Sequence, residues 1–133
     1  MLTRAKDIMT TNLILGYPEM TLEEAIKTLV NNRITGMPIV DDKKRMIGVC
    51  SELDIIKSVE QTEKGKPLDL HRTIHFTHKV VTIDEETQLT DILKMFVELK
   101  VRRLPVVNNK EELVGIISRR DIMRVLFYRS KTI

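Results

Sequence analysis

Two copies of one polar pattern carry the chemistry that this 133-residue chain can offer, Gly48-Val-Cys-Ser51-Glu-Leu-Asp54 and Gly115-Ile-Ile-Ser118-Arg-Arg-Asp121. Ser-x-x-Asp between an apolar run and a helical pattern reads first as a helix N-cap. The hydroxyl accepts from an amide of the first turn, and the acid suits the positive helix end. The same geometry can also serve a ligand. Free amides at a helix start attract anions, a glycine lets a ligand approach the backbone, and a carboxylate one turn in can accept two sugar hydroxyls. The two uses are compatible, with the Ser capping and the Asp binding.

Other reactive constellations are weaker. His71, His75 and His78 are spaced as on one helix face, but His75 and His78 fall at the start of a repeat rather than in a helix, so no metal site is expected. The sequence holds no phosphate-binding loop, nucleophile elbow, paired zinc histidines or paired catalytic carboxylates, and catalysis is not expected. The single cysteine, Cys50, lies in the apolar stretch Met46 to Cys50 and reads as a buried thiol. One cysteine cannot form an internal disulfide, which agrees with a reducing compartment. The acid runs Asp41-Asp42 and Asp84 to Glu86 read as turn and helix-start residues.

Composition bounds the partners. The chain carries 22 Lys and Arg against 19 Asp and Glu, a formal charge of +3, too small a surplus to favour nucleic acid. With 31% charged residues and no apolar run of about 18 residues, no membrane span is expected. The N-terminal stretch lacks the apolar core of a secretory peptide, and a cytoplasmic protein is expected. The surplus is uneven: residues 1 to 67 hold ten basic and ten acidic residues, residues 68 to 133 hold twelve and nine.

The elements that position the two motifs are themselves duplicated. Shifting the chain by 67 places Leu22 on Leu89, Lys27 on Lys94, Val30 on Val97, Pro38 on Pro105, Val40 on Val107 and Lys43 on Lys110. Gly48, Ser51, Asp54 and Ile55 fall in turn on Gly115, Ser118, Asp121 and Ile122, which makes ten identities over Met20 to Ile56 without a gap. In each copy an amphipathic helix comes first, with Leu22, Ala25, Ile26, Leu29 and Val30 answered by Leu89, Ile92, Leu93, Phe96 and Val97. Thr21 and Glu24 form a capping-box pair, for which Gln88 and Asp91 are a weaker substitute. Two apolar runs around a polar turn then predict a hairpin, Met37 to Val40 with Met46 to Cys50, and Leu104 to Val107 with Leu113 to Ile117. Closing helices are expected from Ser51 to about Val59 and from Ser118 to about Phe127. With short strands near Leu13 to Leu15 and Val80 to Thr82, each copy reads β-α-β-β-α. Expected boundaries are 1–60 for the first repeat, 61–72 for a linker and 73–129 for the second. Units of about 60 residues are marginal alone, so the copies are expected to share one core.

Two such units, each with a Pro-hydrophobic-Val strand and a Gly-h-x-Ser-x-x-Asp junction, resemble a stand-alone tandem pair of CBS (cystathionine β-synthase-type) domains, the Bateman module. Ala5 to Thr10, Ile34 to Asp41 and Arg102 to Val107 also resemble segments of that family, and the likeness spans about Ala5 to Met123. The resemblance implies an α/β fold of two pseudo-symmetric repeats packed face to face. It implies clefts between them for adenine-containing ligands such as AMP, ADP, ATP or S-adenosylmethionine, with no required cofactor. Asp121 and Asp54 would hold ribose hydroxyls, with Ser118 and Ser51 near the ribose or phosphate. The adenine would lie against Thr10, Leu13, Thr77 and Val80, beside Pro38 and Pro105. A homodimer is implied as well, with Leu126, Phe127 and Tyr128 extending an interface.

The two clefts are not expected to be equal. Arg102-Arg103 stands where the first copy has Thr35-Gly36, and Arg119-Arg120 where it has Glu52-Leu53. Guanidinium suits phosphate, whereas Glu52 would repel it. The Asp121 cleft is therefore expected to take a phosphorylated adenine nucleotide, and the Asp54 cleft to be weak, empty or specific for a less anionic ligand. The leading expectation is a non-catalytic sensor whose ligand alters self-association or binding to a target protein. Two alternatives remain: a structural interaction module with vestigial clefts, and nucleic-acid binding through Arg102, Arg103, Arg119, Arg120 and Arg124.

Overall fold

The computed structural model describes residues 3–62, 64–78 and 80–130. In chain order the elements are α1 (Ala5–Ile8), α2 (Leu22–Asn32), β1 (Gly36–Val40), β2 (Met46–Ser51), α3 (Glu52–Glu60), β3 (Ile83–Asp84), α4 (Leu89–Leu99), β4 (Arg103–Val107), β5 (Leu113–Ser118) and α5 (Arg119–Ser130). The chain forms two compact units. One is Ile14–Val80; the other joins the segment ending at Leu13 to the chain from Val81 onward.

The first-repeat unit, Ile14–Val80, is an antiparallel hairpin backed by two helices. β1 pairs with β2 from Gly36 opposite Ser51 to Val40 opposite Met46. Thr21 and Glu24 close a reciprocal capping box at the start of α2, as their spacing predicts. Leu22, Ala25, Leu29, Met37, Ile39, Cys50, Ile55 and Ile74 form its buried cluster. The hairpin turn is held by Asp41, whose Oδ1 accepts from the amides of Lys43 and Arg45 at 2.9 and 2.8 Å. That short acceptor three residues before the left-handed Lys44 (φ 63°) gives the turn its shape without glycine.

The second-repeat unit repeats these features. β4 pairs with β5 from Arg103 opposite Ser118 to Val107 opposite Leu113. Asn108 Oδ1 takes the place of Asp41, accepting from Lys110 and Glu112. Gln88 makes no side-chain cap for α4, in line with its weaker signal. Ala5, Ile83, Leu89, Ile92, Leu104, Val106, Ile117 and Ile122 form its buried cluster.

Three local expectations need correction. The strand expected near Val80 to Thr82 is the two-residue β3, parallel to the Val106–Val107 end of β4. Its first-repeat counterpart, expected at Leu13 to Leu15, is a single bridge from Gly16 to Ile39. A short apolar or β-branched run signals extended backbone, but only residues lying beside another strand gain ladder hydrogen bonds. α5 also runs three residues beyond Phe127, and α1 carries no periodic signal because it is one turn long.

The compact units do not coincide with the sequence repeats. Ile74, 5% exposed, packs in the first-repeat cluster with Leu70 and Phe76 against it. Ala5, 0% exposed, packs in the second-repeat cluster with Ile8 and Met9. Thus the segment leading into each repeat adds itself to the hairpin of the other.

Candidate functional site

Each Ser-x-x-Asp motif sits where a hairpin strand turns into a helix, and each caps that helix. Ser51 Oγ accepts from the Asp54 amide at 3.2 Å, while Asp54 Oδ2 accepts from the Ser51 amide and hydroxyl, both at 2.9 Å. Ser118 and Asp121 repeat the arrangement, with an acceptance of 3.2 Å at Ser118 Oγ and of 2.8 and 3.0 Å at Asp121 Oδ2. The cap uses one carboxylate oxygen. The other, Oδ1, is left for something else.

That second oxygen meets a threonine from the crossed-over segment. Thr77 bridges β2 through two hydrogen bonds with Val49, each 2.9 Å, and donates its hydroxyl to Asp54 Oδ1 at 3.1 Å. Thr10 bridges β5 through Ile116, at 2.8 and 3.0 Å, and donates to Asp121 Oδ1 at 3.2 Å. The close approach requires the motif glycines. A Cβ on Gly48 would overlap the Thr77 carbonyl and lie 2.8 Å from Phe76 Cε2; one on Gly115 would run into the Met9 side chain. The glycine, serine and aspartate of each motif therefore serve one junction: close approach, cap and a carboxylate presented beside a threonine.

The basic residues of the second motif divide. Arg124, one turn along α5, pairs with Asp121 Oδ1 at 2.9 Å, although Asp121 is only 4% exposed. Arg119 turns to the segment just past α4, where Nε donates to the Val101 carbonyl at 3.0 Å and Nη2 to that of Lys100. Arg103 lies on β4 opposite Ser118, and Arg102 and Arg120 are exposed. Pro38 and Pro105 are buried in β1 and β4, opposite Val49 and Ile116, the residues that the threonines bridge. Leu13 and Val80 are half-buried at the ends of the crossed-over segments. Arg124 is the residue that sequence reasoning placed only in a general basic cluster. Its signal was the i, i+3 spacing from Asp121.

These paired threonine–aspartate junctions stand in a chain with clear relatives. A family model for the CBS domain matches residues 5–61 and 72–128. The chain belongs to the CBS domain family. A chloroplast CBS domain-containing protein of Arabidopsis thaliana, CBSX1, is 32% identical over 132 residues, and the match takes in 80% of this chain and 56% of that protein. The chain thus spans little more than half the length of that relative. Among solved CBS structures, CBSX2 in complex with AMP superposes with a TM-score of 0.80 at 26% identity, covering 96% of this chain and 98% of that one. The CBS domain pair of protein MJ0100, in complex with 5′-methylthioadenosine and S-adenosyl-L-methionine, gives 0.76 at 26% identity with the same coverage.

The remaining groups have plainer surroundings. Among the described residues no three His, Cys, Asp or Glu side chains converge as metal ligands, and no helix is long and apolar enough to cross a membrane. Cys50 is fully buried, and burial, with the Asp54 carboxylate adding to it, pushes its thiol up to about 11. At pH 8 the thiolate fraction is then about one in a thousand. Cys50 in the folded protein is expected to react with an alkylating reagent far more slowly than in denaturant. Equal rates in the two conditions would contradict this burial.

Proposed function

We propose that this CBS-domain chain is a non-catalytic regulatory module that binds adenine nucleotides or adenosyl ligands through Asp54 and Asp121. The observation that carries the reading is the twinned junction, a carboxylate whose cap fixes one oxygen and turns the other toward a threonine hydroxyl and a glycine-backed strand. Two relatives of the same fold hold AMP or S-adenosyl-L-methionine, ligands that share the vicinal ribose hydroxyls a carboxylate recognises. Arginine supply favours the more anionic ligand at Asp121, while Glu52 on α3 favours a less anionic one at Asp54. Ser51 and Ser118 would orient their aspartates, and Arg102, Arg103 and Arg120 would meet phosphate oxygens.

The ligand would act by favouring one arrangement of the module, and so its self-association or its binding to a target protein. Val97, Met123 and Leu126 form an exposed apolar strip on α4 and α5, suited to a homodimer contact. Nucleic-acid binding is less favoured, because Arg119 and Arg124 of the basic cluster are engaged by carbonyls and by Asp121.

Titration calorimetry with AMP, ATP and S-adenosylmethionine tests the reading. Asp121→Ala is expected to weaken AMP by about tenfold or more, since it removes a charged acceptor of two hydroxyls. Asp54→Ala should act more on S-adenosylmethionine. Loss of AMP binding on Asp54→Ala with none on Asp121→Ala would reverse the assignment, and no binding at all would leave a structural module.

A further inference from the structure

We propose that Arg124 sets ligand selectivity at Asp121 by holding the carboxylate until an anionic group on the ligand takes the guanidinium over. The inference rests on the reading of Asp121 as a ribose-binding carboxylate.

A carboxylate offers about four lone-pair positions. At Asp121 four donors occupy them: the Ser118 amide and hydroxyl at Oδ2, the Thr10 hydroxyl and Arg124 Nη1 at Oδ1. At Asp54 there are three among the described residues, from the Ser51 amide, the Ser51 hydroxyl and Thr77. Lys57 corresponds to Arg124 in the first repeat, and among the described residues it makes no ion pair with Asp54. Ribose hydroxyls can thus approach Asp54 beside its existing donors, whereas at Asp121 they must displace one.

Arg124 is the donor that can leave. The Ser118 amide and hydroxyl form the cap of α5, and Thr10 is tied to β5 through both its amide and its carbonyl. Arg124 is held only through a long side chain that is 60% exposed. A displaced guanidinium has no acceptor of its own and pairs only with anions or carbonyls. A phosphorylated ligand supplies a bidentate anion and exchanges one ion pair for another. A neutral nucleoside breaks the pair and returns nothing. Arg124 therefore opposes neutral adenosyl ligands at Asp121, and no such latch operates at Asp54.

The test uses the full chain carrying Asp54→Ala, so that only the Asp121 site is read, with AMP and adenosine as probes in equilibrium dialysis. Adding Arg124→Gln is expected to tighten adenosine about fivefold without tightening AMP, since an ion pair with one exposed member is weak but not negligible. Arg124→Lys, which keeps the charge but loses the fork, should fall between. Adenosine tightened by more than about twofold supports the latch; adenosine affinity left unchanged, whether or not AMP weakens, overturns it and leaves the ribose reading standing. If the parent binds no AMP, or binds it equally well with Asp121→Asn, the ribose reading fails and the latch with it.

Discussion

Gly48→Ala is expected to destabilise the first-repeat unit by about 2–4 kcal/mol and to weaken ligand binding at Asp54, with little effect at Asp121. The new methyl group points at the Thr77 carbonyl and the Phe76 ring. Overpacking of this kind costs about 1–3 kcal/mol where the neighbours can shift. Here the nearest neighbour is backbone, and moving it breaks one or both Val49–Thr77 hydrogen bonds, each worth about 1 kcal/mol. The same shift withdraws the Thr77 hydroxyl from Asp54 Oδ1. Gly115→Ala is the internal control. Its methyl group meets the Met9 thioether, a flexible side chain that can change rotamer, so about 1 kcal/mol is expected. Thermal denaturation of the two variants should differ, with a fall on the order of 10 °C for Gly48→Ala and a few degrees for Gly115→Ala. Equal shifts would mean that the Thr77 segment does not lie on β2 as described.

What could be read in the sequence was what repeats locally. The 67-residue offset, the helix stripes and the polar turns each rest on contacts within a few residues, so period and turn chemistry identify them. Ser51–Asp54 and Ser118–Asp121 were legible as caps for the same reason, and as candidate ligand groups through family resemblance. The partner of each carboxylate was not legible. Thr10 lies at the start of the first repeat and Thr77 at the start of the second, and chain order suggests that each serves its own repeat. Residues 3–10 and 70–77 carry no strand periodicity, since they join their hairpins by isolated bridges and a short helical turn. Nothing in such a segment encodes which strand it will meet; that follows from burial of Ala5 and Ile74 in two different clusters. Arginine placement was likewise hidden. Five arginines near one motif look alike in sequence, yet Arg119 turns to the Lys100 and Val101 carbonyls just past α4, while Arg124, further along α5, reaches the buried carboxylate.

Deleting residues 1–10 should have the largest effect, and it should fall on the second repeat rather than the first. Three amides of the segment donate to that unit, Ala5 to Thr87 O, Lys6 to Glu85 O and Thr10 to Ile116 O. Two amides of the unit donate back, Leu89 to Thr3 O and Ile116 to Thr10 O. Five such bonds at about 1 kcal/mol each, before any apolar burial, approach the whole stability of a small domain. Loss of Ala5, Ile8 and Met9 opens the cluster around Ile83, Leu104 and Ile117 as well. The Lys6–Glu86 ion pair, with both side chains half-exposed, adds little. Hydrogen exchange gives the decisive readout, because amides of β5 and of the first turn of α4 should lose protection while those of the β1–β2 hairpin keep more of theirs. AMP binding attributed to Asp121 should fall with them, since the Thr10 segment that flanks the carboxylate along β5 is gone. A synthetic peptide of residues 1–13 added in trans should restore protection at Ile116 and Leu89. Protection lost in β1–β2 and retained in β5 would mean that the leading segment belongs to its own repeat, and the threonine–aspartate pairing would fall with it.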